Sequence, residues 1–135
     1  MFEIFKAFRF EAAHALADSA HSAGRYTRLH GHSYRAEIFI RGLANDAGWV
    51  VDLGALEAML QPVRNALDHQ FLNDIADLGP ATLEHLAAFI WRSLTPDLPG
   101  LHKIIVHRDS CGEGCIYRGP AAAARMPAQV QHADA

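Results

Sequence analysis

Apolar and polar residues alternate along two stretches of the chain, and this period of two is typical of half-buried β-strands. The first stretch, FEIFKAFRF, lies at the start of the chain. The second, HGHSYRAEIFI, begins at residue 30 and puts six side chains on one face: His30, His32, Tyr34, Ala36, Ile38 and Ile40. We therefore predict two strands, and we expect both imidazoles of the second strand to point into one space.

Two later stretches carry apolar residues at helical spacing. Asp52 and Thr82 precede them as N-caps, Pro62 is expected to kink or weaken the first helix, and Pro96 is expected to end the second. The predicted apolar face of the first helix comprises Leu53, Leu56, Met59, Leu60 and Val63, and that of the second comprises Leu83, Leu86, Phe89, Ile90 and Leu94. Two amphipathic helices thus follow the two strands.

Further along, KIIVHRD and GCIYRG predict two more strands, joined by the glycine-containing turn SCGEG. The order ββααββ favours an α+β fold in which two helices cover one face of a four-stranded antiparallel sheet. Residues 1–119 are expected to form this single domain. Residues 120–135 are rich in alanine and offer little apolar area to bury, so we expect a mobile C-terminal tail.

Composition narrows the functional class. The 135 residues carry a formal net charge of −3, and the lysines and arginines are scattered, so we expect no nucleic-acid partner. No apolar run reaches the ~20 residues that a membrane-spanning helix needs, so we expect no membrane partner. Two cysteines, Cys111 and Cys115, are too few for a disulfide scaffold and fit a reducing compartment, which predicts a cytoplasmic location.

Three histidines lie at corresponding ends of the first two predicted strands. His14 closes the first strand and His30 and His32 open the second, so antiparallel pairing of the two strands would bring three imidazoles together. A catalytic zinc ion typically takes three protein ligands and keeps a fourth position open. Each histidine alone is as well explained by an ordinary hydrogen-bonded core residue, but the three together predict a zinc site.

The stretch LDHQFLND, between the predicted helices, places a carboxylate beside an imidazole. A neighbouring carboxylate fixes the tautomer of an imidazole and favours proton transfer, so Asp68 and His69 are candidate acid–base residues. Adjacent residues of a helix face in different directions, and an ordinary pair of helix-terminal residues is the alternative interpretation.

Six motifs in order resemble the 6-pyruvoyltetrahydropterin synthase family, and specifically its bacterial 6-carboxy-5,6,7,8-tetrahydropterin synthase branch. They are FRFEAAHAL, RLHGHSYRAEI, WVVDLGALEAMLQPV, LDHQFLNDI, TLEHLA and GCIYRG, and they extend from about Phe2 to Gly119. The resemblance implies a tunnelling fold (T-fold) in which three subunits close a barrel and two trimers stack into a homohexamer, with active sites at subunit interfaces.

The resemblance also implies a reaction. It points to a zinc-dependent lyase that converts 7,8-dihydroneopterin triphosphate to 6-carboxy-5,6,7,8-tetrahydropterin, with release of acetaldehyde and triphosphate, on the route to queuosine. The family's zinc ligands correspond to His14, His30 and His32, and its proton-transfer pair corresponds to Asp68 and His69.

An acidic residue holds the pterin ring in the family, and an ungapped count back from CIYRG places Asp109 in that position. Alignment on the alternation of the strand instead gives Arg108, and Glu113 in the adjoining turn is a second acidic candidate for substrate binding. The pterin anchor is therefore assigned to Asp109 with these two residues as alternatives.

The family's catalytic cysteine lies four residues before His-Gly-His, and this chain has Tyr26 there. A phenol is a weaker acid than a thiol, although both donate and accept protons. Tyr26 is thus a candidate catalytic residue, and the alternatives are that His21, a water molecule, or Cys111 or Cys115 of a neighbouring subunit takes the proton. The changed residue leaves open a related aldolase or epimerase, 6-pyruvoyltetrahydropterin synthase activity, or a non-catalytic pterin- or zinc-binding protein.

Overall fold

A computed structural model of the chain describes residues 1–120, so nearly all of the predicted mobile tail lies outside the described residues. Five strands and two helices make up the domain. In chain order they are β1 (Phe2–His14), β2 (His30–Gly42), α1 (Leu53–Leu67), β3 (Gln70–Phe71), α2 (Leu83–Leu94), β4 (Leu101–Arg108) and β5 (Glu113–Tyr117). The predicted order of the four long strands and two helices is confirmed, as is the α+β class.

The strands form one sheet in the order β3-β1-β2-β4-β5. The four long strands are antiparallel, as predicted. The sheet also has a fifth strand, β3, whose two residues pair in parallel with Ala12 and Ala13 of β1. A pair of residues is too short to show a period of two, so the sequence pattern could not indicate β3.

The pairing of β1 with β2 sets the geometry of the functional end of the sheet. The two strands pair over thirteen residues without a bulge, and this register places His14 opposite His30 and Ala12 opposite His32. Residues 15–29 connect the strands at this same end. All three histidines therefore lie where β1 ends and β2 begins.

The two helices pack on one face of the sheet and enclose the core. The face of β2 that was predicted to be apolar is buried from Tyr34 to Ile40, and Leu56, Leu86 and Ile90 of the helices are fully buried. Asp52 accepts hydrogen bonds from the N–H groups of Gly54 and Ala55, which confirms it as the N-cap of α1. Among residues 1–120, no helix combines the length and apolar content that crossing a membrane would require.

One detail of α1 differs from the prediction. Leu53 is 47% exposed although it was assigned to the apolar face, because it is the first helical residue and precedes the turn that packs on the sheet. The helix continues past Pro62 to Leu67, where the predicted helical stretch also ends. The buried side chains of Val63 and Leu67 anchor this last part, since tertiary packing supplies most of a helix's stability.

The other face of the sheet carries a network of charged side chains beside the same end. Asp109 accepts two hydrogen bonds from Arg35, at 3.0 and 3.1 Å, and Arg9 lies 3.9 Å from the same carboxylate. Glu37 accepts a hydrogen bond from His107 at 2.6 Å. Ion pairs of this kind orient side chains more than they add stability, since exposed pairs contribute about 0–1 kcal/mol.

Candidate metal centre and active site

Three histidine side chains meet at the end of the sheet, as the sequence predicted. One ring nitrogen of each of His14, His30 and His32 lies within 4.8 Å of those of the other two. His14 is completely buried, whereas His30 and His32 are half-buried. The cluster thus has a protein-covered side, at His14, and a side that faces solvent.

Backbone carbonyls fix the orientation of two of these rings. The Nδ1–H of His14 donates to the carbonyl oxygen of Ala81 at 2.8 Å, and that of His30 donates to the carbonyl oxygen of Arg28 at 2.7 Å. A carbonyl oxygen can only accept, so each neutral ring carries its proton on Nδ1. Both Nε2 atoms are therefore free to bind a metal ion.

The two free Nε2 atoms face each other at 3.0 Å. With both protons on Nδ1, no hydrogen lies between them, and two nitrogen lone pairs are directed at one small space. A cation that accepts both lone pairs removes this repulsion. Three imidazoles with room for a fourth ligand fit zinc, and the histidines would hold it through their ring nitrogens.

Burial and neighbouring positive charge favour the neutral form of His14 and His32. Burial is the main cause that lowers the pKa of His14. Burial, followed by the positive charge of Arg108, lowers the pKa of His32 to about 4. Metal binding requires unprotonated imidazoles, so these surroundings prepare the cluster for an ion at neutral pH.

Asp68 and His69 form the predicted carboxylate–imidazole pair, with 2.9 Å between Oδ2 and Nδ1. They do so because α1 has ended: Asp68 is its C-cap, and His69 adopts a left-handed backbone with φ +59°. The backbone of Glu11 fixes both residues, since its N–H donates to Asp68 at 2.9 Å and its carbonyl oxygen accepts from the N–H of His69 at 2.6 Å. The hydrogen bond from Glu11 is the largest contribution that lowers the pKa of Asp68, which keeps the carboxylate ionised.

One cleft connects the two groups. It has a volume of about 600 Å³, and both His32 and His69 line it. The remaining lining residues are Glu11, Ala12, Ala13, Gly31, Ser33, Gln70, Phe71 and Ser110. A ligand in this cleft would contact His32 of the metal cluster and the exposed imidazole of His69 together.

Tyr26 lies near this site on the connection between β1 and β2. Its ring centroid is 6.3 Å from that of His30, and the side chain is 45% exposed. The carbonyl oxygen of Tyr26 accepts a hydrogen bond from the N–H of Leu16 at 2.7 Å. This bond joins the first part of the connection to its last part. Tyr26 is therefore beside the metal cluster, whereas its role in catalysis stays a prediction.

Asn73 is a positioning residue that was not among the candidates predicted from the sequence. Its side chain accepts from the N–H of Ala15 at 2.9 Å and donates to the carbonyl oxygen of the same residue at 2.8 Å. This pair of bonds ties the start of the 15–29 connection to the turn after β3. The asparagine is part of the motif LDHQFLND, so the motif itself offered the signal that could have found it.

Replacement of Asn73 with alanine is expected to loosen this connection. Loss of two hydrogen bonds should lower the free energy of unfolding by about 1–2 kcal/mol, and limited proteolysis within residues 15–29 should become faster. Asn65→Ala is the matched control, because among residues 1–120 the side chain of Asn65 accepts from Gln61 alone, on the surface of α1. Equal proteolysis of the two variants would contradict the assignment.

The candidates for the pterin anchor lie on different faces of the sheet. Asp109 is on the uncovered face, where the hydrogen bonds from Arg35 are the largest contribution that lowers its pKa. Arg108 follows the alternation of β4 onto the helix-covered face, its side chain is only 12% exposed, and it pairs with Glu113. The structure thus groups Arg108 and Glu113 with the histidines, and it places Asp109 with Arg35.

Comparison with known proteins supports the resemblance to the 6-pyruvoyltetrahydropterin synthase family over most of the chain. The family model of 6-pyruvoyl tetrahydropterin synthase matches residues 3–120. A 6-carboxy-5,6,7,8-tetrahydropterin synthase from Synechocystis is 39% identical over 127 residues, which cover 89% of this chain and 95% of that protein. A dihydroneopterin monophosphate aldolase from Pyrococcus furiosus is 34% identical over 67% of this chain and 73% of its own length.

The fold is shared with solved members as well. The 6-pyruvoyl tetrahydropterin synthase of Caenorhabditis elegans superposes with a TM-score of 0.74 at 21% identity, covering 88% of this chain and 96% of its own. The described strands and helices therefore form a T-fold. With the family model spanning both the histidine cluster and the Asp68–His69 pair, the chain belongs to the 6-pyruvoyl tetrahydropterin synthase family.

Proposed function

We propose that this protein is a zinc-dependent lyase of the cytoplasm that converts 7,8-dihydroneopterin triphosphate to 6-carboxy-5,6,7,8-tetrahydropterin, with release of acetaldehyde and triphosphate, for queuosine synthesis. The observation that carries the proposal is the single cleft lined by both His32 and His69. The 39% identity to the Synechocystis synthase supports this particular reaction.

The three histidines would hold the zinc ion, and the ion when bound would act as a Lewis acid for substrate oxygens. His14 provides the fixed part of this site, because it is buried and its Nδ1–H is bound to the carbonyl oxygen of Ala81. His30 and His32 lie on the side that the substrate approaches. A substrate side chain held there would lie in the cleft that His69 also lines.

The Asp68–His69 pair is proposed to move a proton of that side chain. The hydrogen bond from His69 Nδ1–H to Asp68 leaves Nε2 as the proton-accepting atom, and the ionised carboxylate stabilises the imidazolium that forms. The imidazole is 78% exposed, so it can reach a ligand in the cleft without rearrangement of the backbone. Tyr26, whose ring lies beside that of His30, is proposed to exchange a second proton.

Asp109 is proposed to hold the pterin ring of a substrate bound to a neighbouring copy. Its carboxylate accepts hydrogen bonds, as the amino and amide groups of the ring require, and Arg35 keeps it ionised. It lies on the uncovered face, whereas the histidine side chains follow the alternation of β1 and β2 onto the helix-covered face. This placement supports a site shared between copies, and Glu113 is already paired with Arg108.

We expect a homo-oligomer, a trimer or a dimer of trimers. Within residues 1–120, β1 forms ladder pairs along its outer edge only at Ala12 and Ala13, and β5 pairs with β4 alone. Long open strand edges favour pairing with other copies. Light scattering at micromolar concentration should give three or six times the mass of one chain, and a monomer would contradict the shared site.

A second candidate function is aldol cleavage of the dihydroneopterin side chain. The similarity to the Pyrococcus furiosus aldolase favours it, together with tyrosine at the position of the usual thiol. The two reactions differ in what they release. Mass spectrometry of products formed from 7,8-dihydroneopterin triphosphate therefore decides between them: acetaldehyde and a carboxypterin support the proposal, a hydroxymethylpterin supports the aldolase, and no turnover supports a binding protein.

Tyr26→Phe removes the exchangeable proton and keeps the ring. If Tyr26 transfers a proton, turnover should fall on the order of 10²-fold while KM changes little. Tyr26→Cys restores the family's thiol and is expected to raise the carboxypterin-forming rate. Steady-state kinetics measures both effects, and unchanged turnover in Tyr26→Phe would remove Tyr26 from the mechanism.

A further inference from the structure

All three histidines of the cluster have a partner at Nδ1. The partners of His14 and His30 are backbone carbonyl oxygens. The partner of His32 is the sulfur of Cys111, and its Sγ lies 3.8 Å from Nδ1. One of the three outer contacts is thus made by a side chain, and a substitution can remove it.

The turn between β4 and β5 places the sulfur of Cys111 beside His32. Residues 109–111 form a short 3₁₀ turn, and Gly112 ends it in the left-handed conformation with φ +65°. The N–H of Gly112 donates to the carbonyl oxygen of Asp109 at 3.1 Å, which closes the turn. Ser110 of the same turn lines the cleft, so Cys111 is held at the border of the site.

We propose that Cys111 is a positioning residue whose sulfur accepts the Nδ1–H of His32 and thereby directs His32 Nε2 at the metal ion. The proposal rests on the zinc site of the proposed function. Sulfur is a weak acceptor, but it completes the same arrangement that the two carbonyl oxygens make for His14 and His30. Such outer partners fix the tautomer and the angle of a ligand ring, and their loss lowers metal affinity by about 10–100-fold.

The test compares metal binding by the full chain and three variants. Cys111→Ala removes the acceptor, and Cys111→Ser keeps a smaller one. Cys115→Ala is the control, because Cys115 lies on β5 opposite Val106 and packs against the core. Zinc affinity is measured by competition with a chromophoric chelator, the visible and near-ultraviolet spectrum is recorded with Co²⁺ in place of zinc, and thermal unfolding confirms that each variant folds.

We expect Cys111→Ala to bind zinc about tenfold or more weakly than the native chain. Cys111→Ser should lose less, Cys115→Ala should bind normally, and the Co²⁺ spectrum of the native chain should lack a thiolate charge-transfer band. Native affinity in Cys111→Ala, or equal losses in the alanine and serine variants, would overturn the proposal.

A thiolate band that disappears in Cys111→Ala would also overturn it, since Cys111 would then be a direct ligand. The native chain separates this inference from the proposed function. If the native chain binds one zinc ion and Cys111→Ala binds it equally well, only the role of Cys111 fails. If the native chain binds neither zinc nor Co²⁺, the zinc site fails and this inference fails with it.

Discussion

Replacement of His30 with alanine is expected to lower the zinc content from about one ion per chain to less than about a tenth, because a site with two remaining imidazoles no longer meets the usual three-ligand minimum of catalytic zinc. His30 is suited to this test. It is half-buried at the first position of β2, so its loss opens no cavity in the core. Elemental analysis of protein purified without added metal, and again after incubation with zinc, measures the effect.

The matched control is His85→Ala. The Nδ1–H of His85 also donates to a backbone carbonyl, that of Leu78 at 2.8 Å, but His85 lies outside the histidine cluster. Its replacement should leave the zinc content unchanged. A native chain that takes up no zinc even after reconstitution would contradict the metal site, and a full complement in His30→Ala would remove His30 from it.

The histidine cluster could be predicted from the sequence because it depends on strand pairing alone. Once His14 ends one strand and His30 begins its antiparallel neighbour, the register follows from the alternation of apolar residues. The direction of the nitrogen atoms could not be predicted. It depends on the carbonyl oxygen of Ala81, which is 67 residues from His14 in the chain.

The geometry of the Asp68–His69 pair, unlike the meeting of the three histidines, could not be predicted from the sequence. The dipeptide suggested the chemistry, but adjacent residues face apart in a helix, and no local pattern showed which backbone conformation follows Leu67. The left-handed backbone of His69 turns the imidazole back to the carboxylate. Hydrogen bonds to Glu11 in β1 hold that conformation, so it arises from contacts between residues 57 and 58 positions apart.

The sequence alone left two candidates for the pterin anchor, because two alignments gave the adjacent residues Arg108 and Asp109. Adjacent residues of a strand face opposite sides of a sheet, so the choice between Arg108 and Asp109 is also a choice between two faces. Arg108 lies on the covered face beside the histidines, and Asp109 lies on the other with Arg35. The alternation of β4 predicted these directions, whereas the partners of the two residues, Arg35 for Asp109 and Glu113 for Arg108, depend on the packing.

His69→Asn is expected to reduce turnover by about 10²–10⁴-fold, the usual contribution of a positioned proton-transfer group, with little change in zinc content. Asparagine suits this position, because it tolerates the left-handed backbone, where φ is +59°, better than most residues. The variant thus removes the imidazole and preserves the turn that follows α1.

His21→Asn is the control for the His69→Asn variant. His21 is an exposed histidine on the 15–29 connection and is the alternative proton acceptor near Tyr26. Single-turnover measurements with zinc-loaded protein should show the chemical step slowed in His69→Asn and unchanged in His21→Asn. The opposite pattern would move the proton-transfer role to the connection between β1 and β2, and the Asp68–His69 hydrogen bond would then be a device that ends α1 and fixes β3 against β1 at Ala12 and Ala13.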